Sequence, residues 1–328
     1  MKTFEIDSIF NIQSPSEFET LALKIFEFQY ENNSVYHTFC NHLKKSPKNV
    51  NKVLEIPFLP IQFFKSKQVV ASNKISEIIF ESSGTTGASV SRHFITDSCI
   101  YEKSYTKGFQ YFYGPTEEYC ILALLPSYLE RKGSSLVYMV DDLIKKSNHP
   151  NSGFYLNNLE ELALILKKLE TSKTKTLLIG VSFALLDVIE QFKFNLNHTT
   201  IMETGGMKGR RKELIREELH ANLKQGFGVN HIHSEYGMTE LLSQGYSIGN
   251  GIFECPPWMK VMTRNTENPL ENITTGKTGG INVIDLANIY SCSFIATQDL
   301  GKIHSNTTFE VLGRFDHSDI RGCNLMAL

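Results

Sequence analysis

Apolar positions in this chain follow two rhythms. Phe18, Leu21, Ala22, Ile25 and Phe26 recur at helical spacing, and Ser14-Pro15-Ser16-Glu17 stands just before them. Serine as N-cap, proline in the first turn and glutamate closing a capping box predict a helix start, with a packing role. Ile56-Pro57-Phe58-Leu59-Pro60 breaks regular structure, and Ser76 to Phe80 reads as a strand. Buried strands are expected at Cys120 to Leu125 and Thr176 to Phe183, each bounded by Pro, Gly or a polar turn. Between them Leu159 to Leu169 has helical periodicity. A further helix is expected from about Arg211 to Leu223, with Ile215, Leu219 and Leu223 on one face. Strands separated by helices predict an α/β fold with a doubly wound, mostly parallel sheet. Ligands in such sheets sit outside the carboxyl ends of the strands.

From about Asn250 the texture changes. Cys255-Pro256-Pro257-Trp258, the turn-rich Thr274 to Gly280, and short β runs at Ile281 to Leu286 and Ser293 to Thr297 predict a smaller β-rich subdomain. The expected division is a core at 1–250, the β-rich subdomain at 251–316 and a tail at 317–328. There is no internal repeat and no low-complexity tract.

Composition narrows the function classes. The chain has 328 residues, 41% hydrophobic and 21% charged, an ordinary globular balance long enough for a substantial core. A formal charge of -2 gives no electrostatic case for nucleic acid or an anionic membrane. No apolar run approaches the ~18 residues that span a bilayer, and the N-terminal residues lack an apolar signal core. The six cysteines are scattered singly, without Cys-x-x-Cys, which favours free thiols and a cytoplasmic location over disulfides or zinc.

Candidate chemistry starts in the loop after Ile78-Ile79-Phe80. Ser82-Ser83-Gly84-Thr85-Thr86-Gly87 combines hydroxyls with glycines, a composition able to fold N–H and O–H donors around phosphate oxygens. It is not the Lys-containing phosphate loop, because no Lys follows Gly87. Further along, Glu203-Thr204-Gly205-Gly206 leaves flat room against a base or sugar, or makes a plain turn. Ser234-Glu235-Tyr236-Gly237-Met238-Thr239-Glu240 offers an aromatic face for stacking, a hydroxyl for a phosphate oxygen and a carboxylate for Mg²⁺. Thr297-Gln298-Asp299-Leu300-Gly301 offers a carboxylate for ribose hydroxyls, and Gly313-Arg314-Phe315-Asp316 adds a cation.

In this order the motifs resemble those of the adenylate-forming superfamily, over roughly residues 76 to 323. Tyr236-Gly237-Met238-Thr239-Glu240 is similar to its Tyr-Gly-x-Thr-Glu motif, and Thr297 to Gly301 to its Thr-Gly-Asp-Leu-Gly, with Gln298 replacing the first Gly. Closer still, Thr204 to Lys208, Ser234 to Glu240, Pro256-Pro257-Trp258 and Arg321-Gly322-Cys323 resemble the acyl-protein synthetase (LuxE-type) family, related to phenylacetate-CoA ligases. The resemblance implies that Ser82 to Gly87 hold the β- and γ-phosphates of ATP. Gly205 and Gly206 line the adenine pocket and Tyr236 stacks on the base. Thr239 contacts the α-phosphate, Glu240 binds Mg²⁺, and Asp299 takes the ribose hydroxyls. Arg314 reaches ribose or phosphate, and Asp316 is the hinge.

The implied reaction makes an acyl-adenylate from ATP and a carboxylic acid, expected to be fatty. The acyl group then passes to a protein thiol at Cys323, near Arg321, and on to a reductase partner. The 1–250 core would bind nucleotide and acyl group, and 251–316 would complete the site. Two departures shape the expectation. The usual phosphate-loop Lys is absent, with Arg92 the nearest substitute. Only Ile320 to Leu328 follow the hinge region, so the C-terminal domain of CoA ligases is expected to be lacking. Transfer to an external carrier protein or small acceptor, and a non-catalytic acyl-adenylate-binding module, stay open as alternatives. So do two readings each of His233 (pocket wall or, with His231, metal ligand) and of Lys208, Arg210, Arg211 and Lys212 (docking site or solvated face).

Overall fold

Strands Cys120–Leu124, Thr176–Gly180 and Thr199–Glu203 are buried along almost their whole length. Strands covered on both faces carry near-continuous apolar runs, and these three lie side by side in parallel register. Leu124 pairs with Gly180, and Gly180 with Glu203. Gly153–Phe154 adds a parallel strand at one side and His233–Tyr236 at the other; Gly245–Ser247 then runs antiparallel to the latter. A helix lies in each parallel connection, as the crossover geometry requires: Ser135–Ser147, Leu159–Thr171, Ser182–Gln191 and Arg216–Phe227. Ser134 and Asn158 cap two of them through side-chain oxygens. This is the expected α/β, mostly parallel arrangement.

The computed structural model describes residues 4–71, 73–82, 90–126, 133–205, 214–305 and 307–314. They fall into two units. The parallel sheet belongs to the one that holds the described residues of 80–85 and 101–253, and the other holds the described residues of 1–79, 86–100 and 254–328.

Antiparallel strands dominate the second unit. Met259–Arg264, Thr278–Asp285, Phe294–Ile303 and Thr308–Arg314 pair in sequence order, and Leu59–Pro60 joins Phe294–Ile303 in parallel. The expected β-rich C-terminal region is therefore present. Helix Pro15–Asn32 packs here. Ser14 accepts the Glu17 N–H at 3.2 Å, while the Glu17 carboxylate accepts from Gln13 N at 2.7 Å, one residue upstream of the capping-box partner. Gln29, fully buried, ties the helix to the turn before Phe294. Its amide nitrogen reaches Asn288 O, Ile289 O and Ser293 Oγ at 3.0, 2.8 and 3.1 Å, and its oxygen accepts from Ser293 N at 3.0 Å. Phe26, Tyr36 and Phe294 form an aromatic core around this link.

Two expected elements differ in extent. The apolar run from Thr176 is a strand only to Gly180, and Ser182 to Gln191 is a helix that is apolar on nearly every side. Continuous apolarity fits both states, so periodicity could not separate them. The expected Arg211 helix begins at Arg216 in the described residues and runs on to Phe227. The described cysteines Cys40, Cys99, Cys120, Cys255 and Cys292 are unpaired. Among the described residues, no helix is long and apolar enough to cross a membrane.

Candidate active site

The parallel strands end where the candidate residues begin. After Thr199–Glu203, Thr204 donates its N–H to Gly180 O at 3.0 Å. Gly205 then takes φ +73°, a left-handed conformation that a side chain would strain, and its N–H donates to Glu203 Oε2 at 2.6 Å. This turn holds the backbone at the carboxyl edge of the sheet. Gly206 lies outside the described residues.

Glu203 is buried and heavily supported. His220 Nε2 stands 3.5 Å from Oε1, both side chains being about 6% exposed, and Ser182 Oγ donates to Oε2 at 3.4 Å. Burial opposes ionisation of Glu203, but His220, Ser234, the Gly205 N–H and the Arg216 charge outweigh it and hold the carboxyl below its usual range. Glu235, on the neighbouring strand His233–Tyr236, behaves oppositely. Burial, then the Glu203 charge, pushes it up to about 8.

The same strand carries Tyr236. Its ring is buried and meets Phe253 edge-on at 6.0 Å, and the Arg216 guanidinium sits 5.3 Å from the Phe253 ring. Beyond it the chain turns through Thr239 and Glu240, closed by Leu241 N donating to Met238 O at 3.1 Å. Thr239 is half-buried and the Glu240 side chain is buried. Next to this turn Ser243 meets Ser104 at 3.0 Å. His233 faces Tyr113, Nδ1 to OH at 3.2 Å, and burial followed by the His231 charge lowers it to about 4. It is a neutral ring at pH 7.

Asp299 and Arg314 fall in the other unit. They sit opposite one another on strands Phe294–Ile303 and Thr308–Arg314, with Arg314 Nε 3.2 Å from Asp299 Oδ1. The Asp299 side chain is 9% exposed and that of Arg314 80% exposed. Thr297 Oγ1 accepts the Asp299 N–H at 3.1 Å.

Of the phosphate loop, only half-buried Ser82 is described, following Ile78–Glu81. Ser83, Gly84, Thr85, Thr86 and Gly87, like Gly206, Asp316, Arg321 and Cys323, lie outside the described residues. Gly205, Tyr236, Thr239 and Glu240 thus share one unit, and Asp299 and Arg314 share the other. Sequence reading assigned no role to Glu203, Glu235, Ser182 or His220. The two glutamates lie inside quoted motifs, but nothing in the sequence links either to His220.

Among the described residues no group of three or more His, Cys, Asp or Glu gathers to hold a metal. The single buried carboxylate of Glu240 suits Mg²⁺, which takes one or two protein carboxylates and fills its remaining positions with phosphate oxygens and water.

A mostly parallel sheet with a β-rich C-terminal region is the fold of adenylate-forming enzymes. A structure of 2-hydroxyisobutyryl-CoA ligase in complex with 2-HIB-AMP and CoA matches at TM-score 0.67 and 12% identity, covering 93% of this chain and 70% of that one. ATP-bound MatB from Rhodopseudomonas palustris matches at TM-score 0.55 and 16% identity. That match covers 72% of this chain, which spans only 47% of the MatB chain. No curated protein matches the sequence. The chain belongs to the family described as acyl-protein synthetase, LuxE, which it matches over residues 10–327.

Proposed function

We propose that this protein activates a carboxylic acid with ATP and passes the acyl group to a protein thiol. The observation that carries the reading is the Tyr236 to Glu240 turn at the end of a sheet strand, in a chain that matches its family almost end to end. Tyr236 presents a fixed aromatic ring for the adenine. Gly205 keeps the neighbouring backbone free of a side chain. The Thr239 hydroxyl meets the α-phosphate, and Ser82 to Gly87 the terminal phosphates. Glu240 holds Mg²⁺, which supplies charge neutralisation when bound. Asp299 accepts from the ribose hydroxyls, with Arg314 at its side.

In the first step a carboxylate oxygen attacks the α-phosphorus, the bond to the β-phosphate breaks, and pyrophosphate leaves. In the second, a thiolate attacks the acyl carbonyl and AMP departs with the bonding electrons. No protein nucleophile acts in the first step, so positioning and charge neutralisation supply the rate enhancement. The acid is proposed to be fatty, and the onward acceptor an acyl-reductase or carrier protein.

Burial argues about the thiol. It pushes Cys40 up to about 12 and Cys120 up to about 11, and it raises Cys255 and Cys292 as well. A protonated thiol is a poor nucleophile, so these four are unsuited to acyl transfer. Cys323 is the proposed acceptor, with exposed Cys99 as the alternative within the chain.

Pyrophosphate–ATP exchange with a panel of acids of increasing chain length tests the activation step. Exchange that depends on one class of acid supports it. No exchange with any acid, together with ATP binding, leaves the non-catalytic adenylate-binding module as the better reading.

A further inference from the structure

The strand pair Thr278–Asp285 and Phe294–Ile303 is irregular beside Asp299. Gly280 pairs with Leu300, but Asn282 pairs with Ala296. Between these points Ile281 alone faces Thr297, Gln298 and Asp299. Such a bulge removes ladder bonds and re-aims a side chain, and its released carbonyls need partners in a buried interior. Arg264 supplies them. Nη1 donates to Ile281 O at 2.6 Å and to Asn282 Oδ1 at 2.8 Å, and Nη2 donates to Thr297 O at 2.6 Å. Thr297 Oγ1 adds a bond to Ile281 O at 3.0 Å while accepting from Asp299 N at 3.1 Å.

The arrangement is built rather than incidental. Arg264 is 6% exposed, so its charge is desolvated for these contacts. Gly280 makes room for it: a Cβ there would stand 2.7 Å from the Arg264 Cζ. A planar fork bridges two carbonyls of different strands, which a lysine ammonium cannot match.

We propose that Arg264 is a positioning residue: it fixes the Thr297–Asp299 bulge in the shape that presents the Asp299 carboxylate to the nucleotide. The proposal rests on the reading of Asp299 as the ribose-binding group. Arg264 then sets discrimination for the ribose hydroxyls without touching the nucleotide.

The test measures equilibrium affinity of the full chain for ATP and for 2′,3′-dideoxy-ATP, in wild type, Asp299→Ala, Arg264→Gln, Arg264→Lys and the Asp299→Ala/Arg264→Gln double variant. Wild type is expected to prefer ATP by about tenfold, the worth of one charge-assisted hydrogen bond. Arg264→Gln brings the preference down to that of Asp299→Ala, leaves dideoxy-ATP affinity within about twofold, and costs nothing more in the double variant. Arg264→Lys falls between. If Asp299→Ala leaves the preference unchanged, the ribose reading fails and the proposal with it. If Asp299→Ala abolishes the preference but folded Arg264→Gln keeps it, or weakens both nucleotides equally, only the role of Arg264 is overturned. If Arg264→Gln does not fold, Arg264→Lys decides by the same criterion.

Discussion

Glu203 and Glu235 lie on neighbouring strands and settle into opposite protonation states, which gives the folded chain a definite pH signature. Folded Glu235 keeps its proton to about pH 8, whereas an unfolded Glu releases it near 4.5. Over that interval the native state binds more protons than the unfolded one, so stability falls as pH rises. His233 has the opposite sign: its pKa drops from 6.5 to about 4, so its contribution rises with pH across that range. The two slopes oppose each other between 4.5 and 6.5, and above 6.5 only that of Glu235 continues. The thermal midpoint is therefore expected to fall from pH 6.5 to 8, and Glu235→Gln to flatten that fall. A wild-type midpoint that climbs over the same interval would contradict the assignment. A second prediction concerns the buried carboxylate of the Thr239–Glu240 turn. Glu240→Gln is expected to lower pyrophosphate exchange about 10²- to 10³-fold, the scale of one electrostatic contact to transition-state charge, with acid affinity kept. At this scale the candidate motif residues were proposed from sequence because their types suggest a chemistry. His220 and Arg264 were not, because a histidine in a helix and an arginine ending a strand look like surface residues until the fold buries them.

At the scale of elements, local chemistry was legible and long-range register was not. Ser14 caps its helix as its sequence context says, and Ser14→Ala is expected to cost about 1 kcal/mol in urea unfolding. Gln29 gives no such signal. It occupies a buried face of the same helix and satisfies a turn 259 to 264 residues away. Gln29→Ala leaves those groups unpaired, with an expected loss of about 2 kcal/mol, clearly larger than at Ser14. Equal losses at the two positions would show that the Gln29 bonds add little. The three-against-one bulge at Thr297 to Asp299 belongs to the same class. Its sequence reads as a strand with a turn-prone Asp, and only pairing against Ile281 reveals the offset.

For the whole molecule the proposed function turns on where an acyl group would go. If Cys323 accepts it, Cys323→Ser is expected to abolish the mass increase of the intact protein after incubation with ATP and acid, while pyrophosphate exchange stays within about twofold because adenylation needs no protein nucleophile. Retained loading that disappears only in Cys99→Ser would move the acceptor to Cys99. Full transfer to a separate carrier by Cys323→Ser would favour an external acceptor.

The sequence by itself determined the α/β class, the capped N-terminal helix and the β-rich C-terminal region, because short-range periodicity and capping chemistry are local properties. The tertiary structure alone decided that Glu203 is ionised beside a protonated Glu235, that Gln29 reaches Ser293, and that Arg264 braces the Asp299 bulge. Each depends on burial and on contacts between distant residues. Desolvation and unpaired backbone groups have energies only once the chain has closed around them.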